Sequence, residues 1–229
     1  MVGDRAAKNS LYDGFVEVAK ALANGRRAEI VDLLAQGERP VDDISEEIGH
    51  SVANTSHHLR AMARAGLVTA RREGTRVYYS LASERVGELW SAMRDVAAEH
   101  VAGIDRLARA YLGGRDGIEE IDRKELAGRI KRGDVLVLDV RGADEYEAGH
   151  IAGARSLPIA QLPIAELRRR LRGLPKDVDV VAYCRGPYCV FADDAVRKLE
   201  RRGFRARRLI DGYPEWKRAG LPVAAGPSA

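Results

Sequence analysis

The sequence predicts two domains of different class: a mainly helical one carrying a β-hairpin, then an α/β one with a parallel sheet. Three observations carry this. Residues 10–111 show apolar side chains at helical spacing, interrupted by two β-rich runs around a glycine turn. Residues 135–210 alternate short, continuously apolar runs with helical ones, as strands buried on both faces do. Between them, Gly113-Gly114-Arg115-Asp116-Gly117 has the composition of a linker. The expected boundaries are 1–112, 113–117 and 118–229, and 229 residues suffice for two modest domains.

In the first domain, Leu11, Phe15, Val18 and Leu22 give a helix from Ser10 to Leu22 an inner face. Asn24 can cap a second helix, Gly25 to Leu34, with Ile30, Leu33 and Leu34 inward. Gly37 and Pro40 punctuate the chain, and a short helix follows with Ile44 and Ile48 inward, ending at Gly49. Ser51 offers an N-cap for Val52 to Ala65, and Gly66 ends that helix. Leu67–Ala70 and Arg76–Leu81 are the arms of the hairpin. One long helix, Glu84 to Tyr111, closes the domain with Val86, Leu89, Met93, Val96, Val101, Ile104 and Leu107 on its apolar face. Such a helix at a domain end suits a dimer face. This order of helices, hairpin and terminal helix describes a winged helix-turn-helix. In the second domain, strands Val135–Val140, Val178–Tyr183 and Ala206–Ile210 alternate with helices Leu162–Leu171 and Val190–Arg202.

No apolar run approaches the roughly 18–20 residues that span a bilayer, and Met1–Ala6 lacks the apolar core of a secretory signal. A cytoplasmic protein with no membrane partner is expected, and its two cysteines read as reduced or catalytic thiols. Net charge is +4, but residues 1–112 hold 15 Lys and Arg against 16 Asp and Glu, so bulk charge does not argue for nucleic acid. The local pattern does. Residues 51–76 carry Arg60, Arg64, Arg71, Arg72 and Arg76 against Glu73 alone, an excess suited to phosphates. The helix after Ser51 turns Asn54, Thr55, Ser56, His58 and Arg60 around its exposed sides, within reach of base edges in a major groove. A solvated helix and hairpin is the plainer alternative.

Ser56-His57-His58-Leu59-Arg60, then Ala65-Gly66-Leu67-Val68, then Arg71 to Tyr79 closely resemble the arsenic-repressor (ArsR-type) regulators over about residues 10–110. The resemblance implies a homodimer on a double-stranded DNA operator. Its contacts would come from Ser51, Asn54, Thr55, Ser56, His57, His58 and Arg60, and from Arg71, Arg72 and Arg76 of the wing. The family often senses metals through cysteines just before the recognition helix, and residues 39–44 hold none. Asp95, Glu99 and His100 on the terminal helix lack a partner histidine one turn on and read as a charged surface. Neither a metal nor a cofactor is expected.

In the second domain, Leu138 to Arg141, Glu145-Tyr146 and Gly149 to Ala154 resemble the N-terminal rhodanese signature. Asp211 to Trp216 and Ala219 to Val223 resemble the C-terminal one. Between them lies Tyr183-Cys184-Arg185-Gly186-Pro187-Tyr188-Cys189-Val190, and the resemblance implies that Cys184 is the sulfur-carrying nucleophile. A cysteine between a buried strand and a helix makes chemical sense. Backbone N–H groups of Arg185, Gly186, Pro187–Tyr188, Cys189 and Val190 (proline excepted) would cradle an anion, while the helix dipole and Arg185 would favour thiolate. The partner would be a small anionic sulfur donor: thiosulfate, polysulfide or persulfide. The loop is one residue shorter than in the related phosphatases and arsenate reductases, which favours sulfur.

Arg141 would reach the loop and bind an anion in the family, Asp139 and Glu145 would hold the loop and its arginines, His150 would support a turn, and Trp216 would be core. Position 189 in the family commonly carries a cationic or hydroxyl residue. Here Cys189 reads either as a small buried thiol or as a resolving cysteine, the latter if the Cα atoms come within about 7 Å. The outward spread of side chains in such a cradle suggests that bridging needs loop rearrangement. Joining a DNA-binding dimer to a sulfur acceptor suggests a sensor of reactive sulfur or redox state. A sulfurtransferase merely tethered to a DNA-binding module, or a constitutive repressor with an idle second domain, are the alternatives.

Overall fold

The computed structural model describes residues 4–175 and 177–227. The chain forms two compact units, 1–96 and 97–229. The first unit opens with α1 (Arg5–Leu22), α2 (Gly25–Leu34), β1 (Arg39–Pro40), α3 (Val41–Glu47) and α4 (Val52–Arg64). The hairpin of β2 (Val68–Glu73) and β3 (Arg76–Leu81) follows, then α5 (Glu84–His100). Expected caps are in place: Asn24 accepts from the N–H groups of Arg26 and Arg27, and Ser51 from that of Asn54. The two-residue β1, a strand that the sequence reading lacks, pairs with β3 and makes the wing a three-stranded sheet in the order β1-β3-β2. The core joins Ile30, Val31, Leu33 and Leu34 of α2 to Ile44, Ile48, Leu59, Met62 and Tyr79. Trp90 donates to Asp32 at 2.8 Å, pinning α5 to α2.

Two expectations are corrected here. The single helix from Glu84 to Tyr111 is two, because Gly103 takes φ +89, a left-handed conformation that breaks the ladder before α6 (Ile104–Leu112). The apolar face of α1 does not close over the core of its own unit. Leu22 is buried, but Leu11 and Phe15 are exposed together with Tyr12 and Val16. On α5, Val86 is buried while Leu89, Met93 and Val96 are exposed, as is Val101 just after it.

The second unit continues with β4 (Glu120–Ile121), α7 (Arg123–Arg132), β5 (Val135–Asp139), α8 (Ala143–Ala148), β6 (His150–Ile151), β7 (Arg155–Ser156) and α9 (Ile164–Arg172). It ends with β8 (Asp179–Cys184), α10 (Phe191–Glu200), β9 (Ala206–Gly212), α11 (Tyr213–Arg218) and β10 (Val223–Ala224). Five strands make a parallel sheet in the order β4-β9-β8-β5-β7, and β6 pairs separately with β10. Strand alternation sends side chains to two cores. Leu136, Leu138, Val180, Ala182 and Cys184 join α9 and α10 on one face. Val137, Val181 and Tyr183 join Leu126 of α7 and Tyr213 and Trp216 of α11 on the other. Cys184 thus ends the central strand on the α10 side. No helix among the described residues is long and apolar enough to cross a membrane.

Candidate functional site

In the first unit, α3 and α4 form a helix-turn-helix with the hairpin beside it. The inner stripe of α4 is Thr55, Leu59 and Met62, at helical spacing. Thr55 is 0% exposed, and its hydroxyl donates to the Ser51 carbonyl at 3.0 Å. The expected DNA contact from Thr55 is therefore corrected to a packing role. Asn54, His57 and Arg60 are exposed, as is Ser51, whose hydroxyl is already used in the cap, and Ser56 is half-buried.

His58 is half-buried, with the His50 and His57 rings 6.3 and 6.0 Å from its own. Burial, reinforced by the nearby Arg27 charge, lowers its pKa below the usual 6.5. The neutral ring belongs to the packing of α4, which corrects the expected exposed position. A base with a depressed pKa gains its proton more readily in the unfolded chain, so its contribution is intact above 6.5 and fades as pH falls below it. The melting temperature of this unit should drop as pH falls below 6.5, and less so in His58→Gln. Equal pH dependence in both proteins would refute this.

In the wing, Arg71 sits between Glu38 and Glu73, 2.6 Å from each, and over the Tyr78 ring. Glu38, outside the stretch used for the local charge count, reduces the excess at that point. Arg72 donates to the Gly74 carbonyl at 3.2 Å, and Arg76 is exposed. Exposed cations on α4 and the wing nevertheless outnumber acids.

In the second unit, Cys184 is 1% exposed and Cys189 half-buried. Their sulfurs are joined in a disulfide, with Cα atoms 6.2 Å apart. The loop as folded has the approach that a bridge requires, without the rearrangement expected from an outward spread of side chains. A turn brings this about: the Cys189 N–H donates to the Gly186 carbonyl at 3.1 Å. That N–H is thus committed within the loop. Gly212 of β9 lies beside the loop, where a Cβ would fall on the backbone of Arg185 and Gly186. Only glycine permits this approach.

The arginines near the loop are balanced. Arg185 pairs with Glu145 at 2.8 Å, and Glu145 also accepts from the Gly142 N–H, so Arg185 favours a thiolate less than its charge alone would. Arg141 is 0% exposed. It donates to Asp139 through Nε at 3.0 Å and Nη2 at 2.6 Å, and to the Gly149 carbonyl at 2.6 Å. Burial opposes its charge, and the Asp139 carboxylate outweighs that, holding the pKa above the usual value. The anion-binding role expected of Arg141 is corrected to a buried structural ion pair. Tyr183 donates to Asp139, and burial beside that carboxylate raises the phenol's pKa well above 10.0. His150 stacks on Tyr146 and contacts its carbonyl at 2.8 Å, and Trp216 is core, both as expected.

Sequence reasoning missed a cluster beside the loop. Asp193 on α10 is 1% exposed; Arg115 donates to it at 2.8 Å, and Arg208 lies 3.0 Å from its other oxygen. An aspartate one turn into an otherwise apolar helix face was the available signal. Among the described residues, no group of three or more His, Cys, Asp or Glu side chains could hold a metal ion.

A winged helix-turn-helix followed by a doubly covered parallel sheet with a cysteine loop at a strand end defines a class. The chain belongs to the ArsR family of bacterial transcriptional regulators and carries a C-terminal rhodanese-like domain. Residues 24–70 match the bacterial regulatory proteins of the arsR family, and residues 122–219 match the rhodanese-like domain. The HTH-type transcriptional regulator Rv0324 of Mycobacterium tuberculosis is 48% identical over 99% of this chain and 97% of its own length. A protein named sulfurtransferase from Allochromatium vinosum is 36% identical over 47% of this chain and 96% of its own length. A solution structure titled as the homodimeric winged helix-turn-helix DNA-binding domain of Mb0332 from Mycobacterium bovis is 48% identical. It covers 44% of this chain and 94% of that one, with a TM-score of 0.41.

Proposed function

We propose that this regulator senses reactive sulfur: Cys184 accepts a sulfur atom, Cys189 resolves it, and the change alters the affinity of a cytoplasmic homodimer for its operator. The single observation that carries the reading is the pairing of Cys184 with Cys189 at the end of β8, on the same chain as a DNA-binding fold.

The chemistry balances. The Cys184 thiolate attacks the outer sulfur of a persulfide RSSH, forming Cys184–S–SH and releasing RS⁻. The Cys189 thiolate then attacks the Cys184 sulfur, forming the disulfide and expelling HS⁻. Two thiolates are oxidised by two electrons, and the sulfane sulfur is reduced to sulfide. With thiosulfate, the first step leaves sulfite instead. The helix dipole of α10 helps to hold the anionic forms.

The domain division 1–112, 113–117 and 118–229 belongs to this reading, although the compact units divide earlier, between residues 96 and 97. Dimerisation is supported by the exposed apolar residues of α1 and α5, Leu11, Phe15, Leu89, Met93 and Val96 among them, which a second copy would cover. Operator contacts would come from Asn54, His57 and Arg60, with Ser56 beside them, and from Arg72 and Arg76 on the wing.

Operator affinity measured on the reduced chain, before and after a polysulfide, tests the proposal. A change of roughly 5–150-fold is expected in the parent, the usual range of allosteric coupling, and none in Cys184→Ser. Equal responses in both proteins would sink it.

A further inference from the structure

The segment before β4 does not simply tether the second domain. It grips the cysteine loop. Arg115 is the third residue of the glycine-rich stretch 113–117. Its Nε donates to Asp193 at 2.8 Å, and its Nη2 approaches the Cys189 carbonyl at 3.4 Å. One side chain thus touches both the loop residue that pairs with Cys184 and the helix that follows.

The contact is built in. Asp193 is 1% exposed, where an unbalanced carboxylate is strongly disfavoured. Two cations balance it. Arg208, also 1% exposed, lies 3.0 Å from Oδ1, close enough for charge pairing though not aligned as a hydrogen bond. Arg208 in turn reaches the Pro187 carbonyl at 3.4 Å and Glu120 at 2.8 Å. Arg197 of α10 donates to the Gly114 carbonyl. Residues 114 and 115 are therefore tied at three places to residues 189–197, and Glu120 joins the same cluster through Arg208, with Asp193 as the shared anion.

We infer that Arg115 and Asp193 form a clasp through which the bonding state of Cys184 and Cys189 sets how firmly residues 113–118 are held. The Cys189 carbonyl is fixed relative to α10 while the disulfide ties its residue to the end of β8. Reduction by a dithiol such as dithiothreitol gives two thiols and cyclised oxidised reagent. It frees residue 189 from β8, so the carbonyl that Arg115 reads can move. The stretch that answers is covalently continuous with α6 and, through it, with the first unit. The inference rests on the sulfur-sensing reading for its purpose, but not for its physics. Arg115 is a positioning residue and takes no part in sulfur transfer.

Amide hydrogen exchange of peptides covering 113–120, on the full chain, tests it. Each redox form is first verified by intact mass, and operator affinity is measured on the same samples. In the parent, exchange should be about tenfold faster in the dithiothreitol-reduced form than in the disulfide form. In Arg115→Gln both forms should exchange at the fast rate, and Arg115→Lys, which keeps the charge, should recover part of the difference. Asp193→Asn, a second disruption, should behave as Arg115→Gln if the unit stays folded, which protection of β8 reports. Equal exchange in the two forms of the parent overturns the clasp whatever DNA binding does, as does an undiminished difference in Arg115→Gln. Different exchange with unchanged operator affinity leaves the clasp standing and refutes the sensor reading.

Discussion

Treated with polysulfide, Cys189→Ser should gain about 32 Da, one sulfur atom, on the peptide that holds Cys184, and should keep it. The parent should instead lose two hydrogens, about 2 Da, and release sulfide as the bridge forms. Cys184→Ser should show neither change. Under the proposed chemistry the effect is all-or-none, because the two cysteines would hold consecutive positions in one sequence of displacements. Without Cys189 the persulfide waits for an external thiol, while with it the attacking sulfur is already on the same loop, on a residue whose Cα is 6.2 Å away. If the parent and Cys189→Ser both retain the added sulfur, Cys189 is only a small half-buried side chain and the resolving role is wrong.

The second large effect is on stability. Arg141→Ala should destabilise the second unit by about 3–5 kcal/mol, because it leaves a buried carboxylate without its cation. Asp139 is 0% exposed and accepts from the Arg141 backbone N–H and guanidinium and from the Tyr183 hydroxyl. Arg141 also ties to the Gly149 carbonyl and lies over the Tyr213 ring at 4.3 Å, so packing is lost with the charge. Exchange of the β5 and β8 amides reads this unit separately from the first, and should accelerate by at least about a hundredfold. Wild-type protection in the variant would show that the buried ion pair does not hold this unit together.

The sequence made the two-part architecture legible because the two halves use different hydrophobic periods. Ile30, Leu33 and Leu34 recur at helical spacing, whereas Val135 to Leu138 is a continuous apolar run with a side chain buried on each face in turn. The same reading passed over α7, whose ten residues hold eight charged or small ones and bury Leu126 alone among its apolar side chains. It also joined α5 to α6, since a period count tolerates one glycine and cannot register that Gly103 turns left-handed. Cys184 was legible from its place between strand and helix. For Thr55, period outranks polarity: its spacing to Leu59 and Met62 sets it on the inner stripe despite its hydroxyl. The Arg115–Asp193 contact spans 78 residues, and no local pattern in the chain announces a pairing at that distance.

The nearness of Cys189 to Cys184 also bears on chemical wear. A lone thiolate that meets peroxide climbs from sulfenic acid to sulfinic and sulfonic acids, and the upper rungs are in general not reversed. Here a sulfenic acid on Cys184 would be intercepted by the thiol five residues on, at an effective concentration that dissolved oxidant does not approach. The product is a disulfide, formed with loss of water, that an ordinary dithiol reopens. One copy of the chain can then pass through repeated exposures and return to service without being resynthesised.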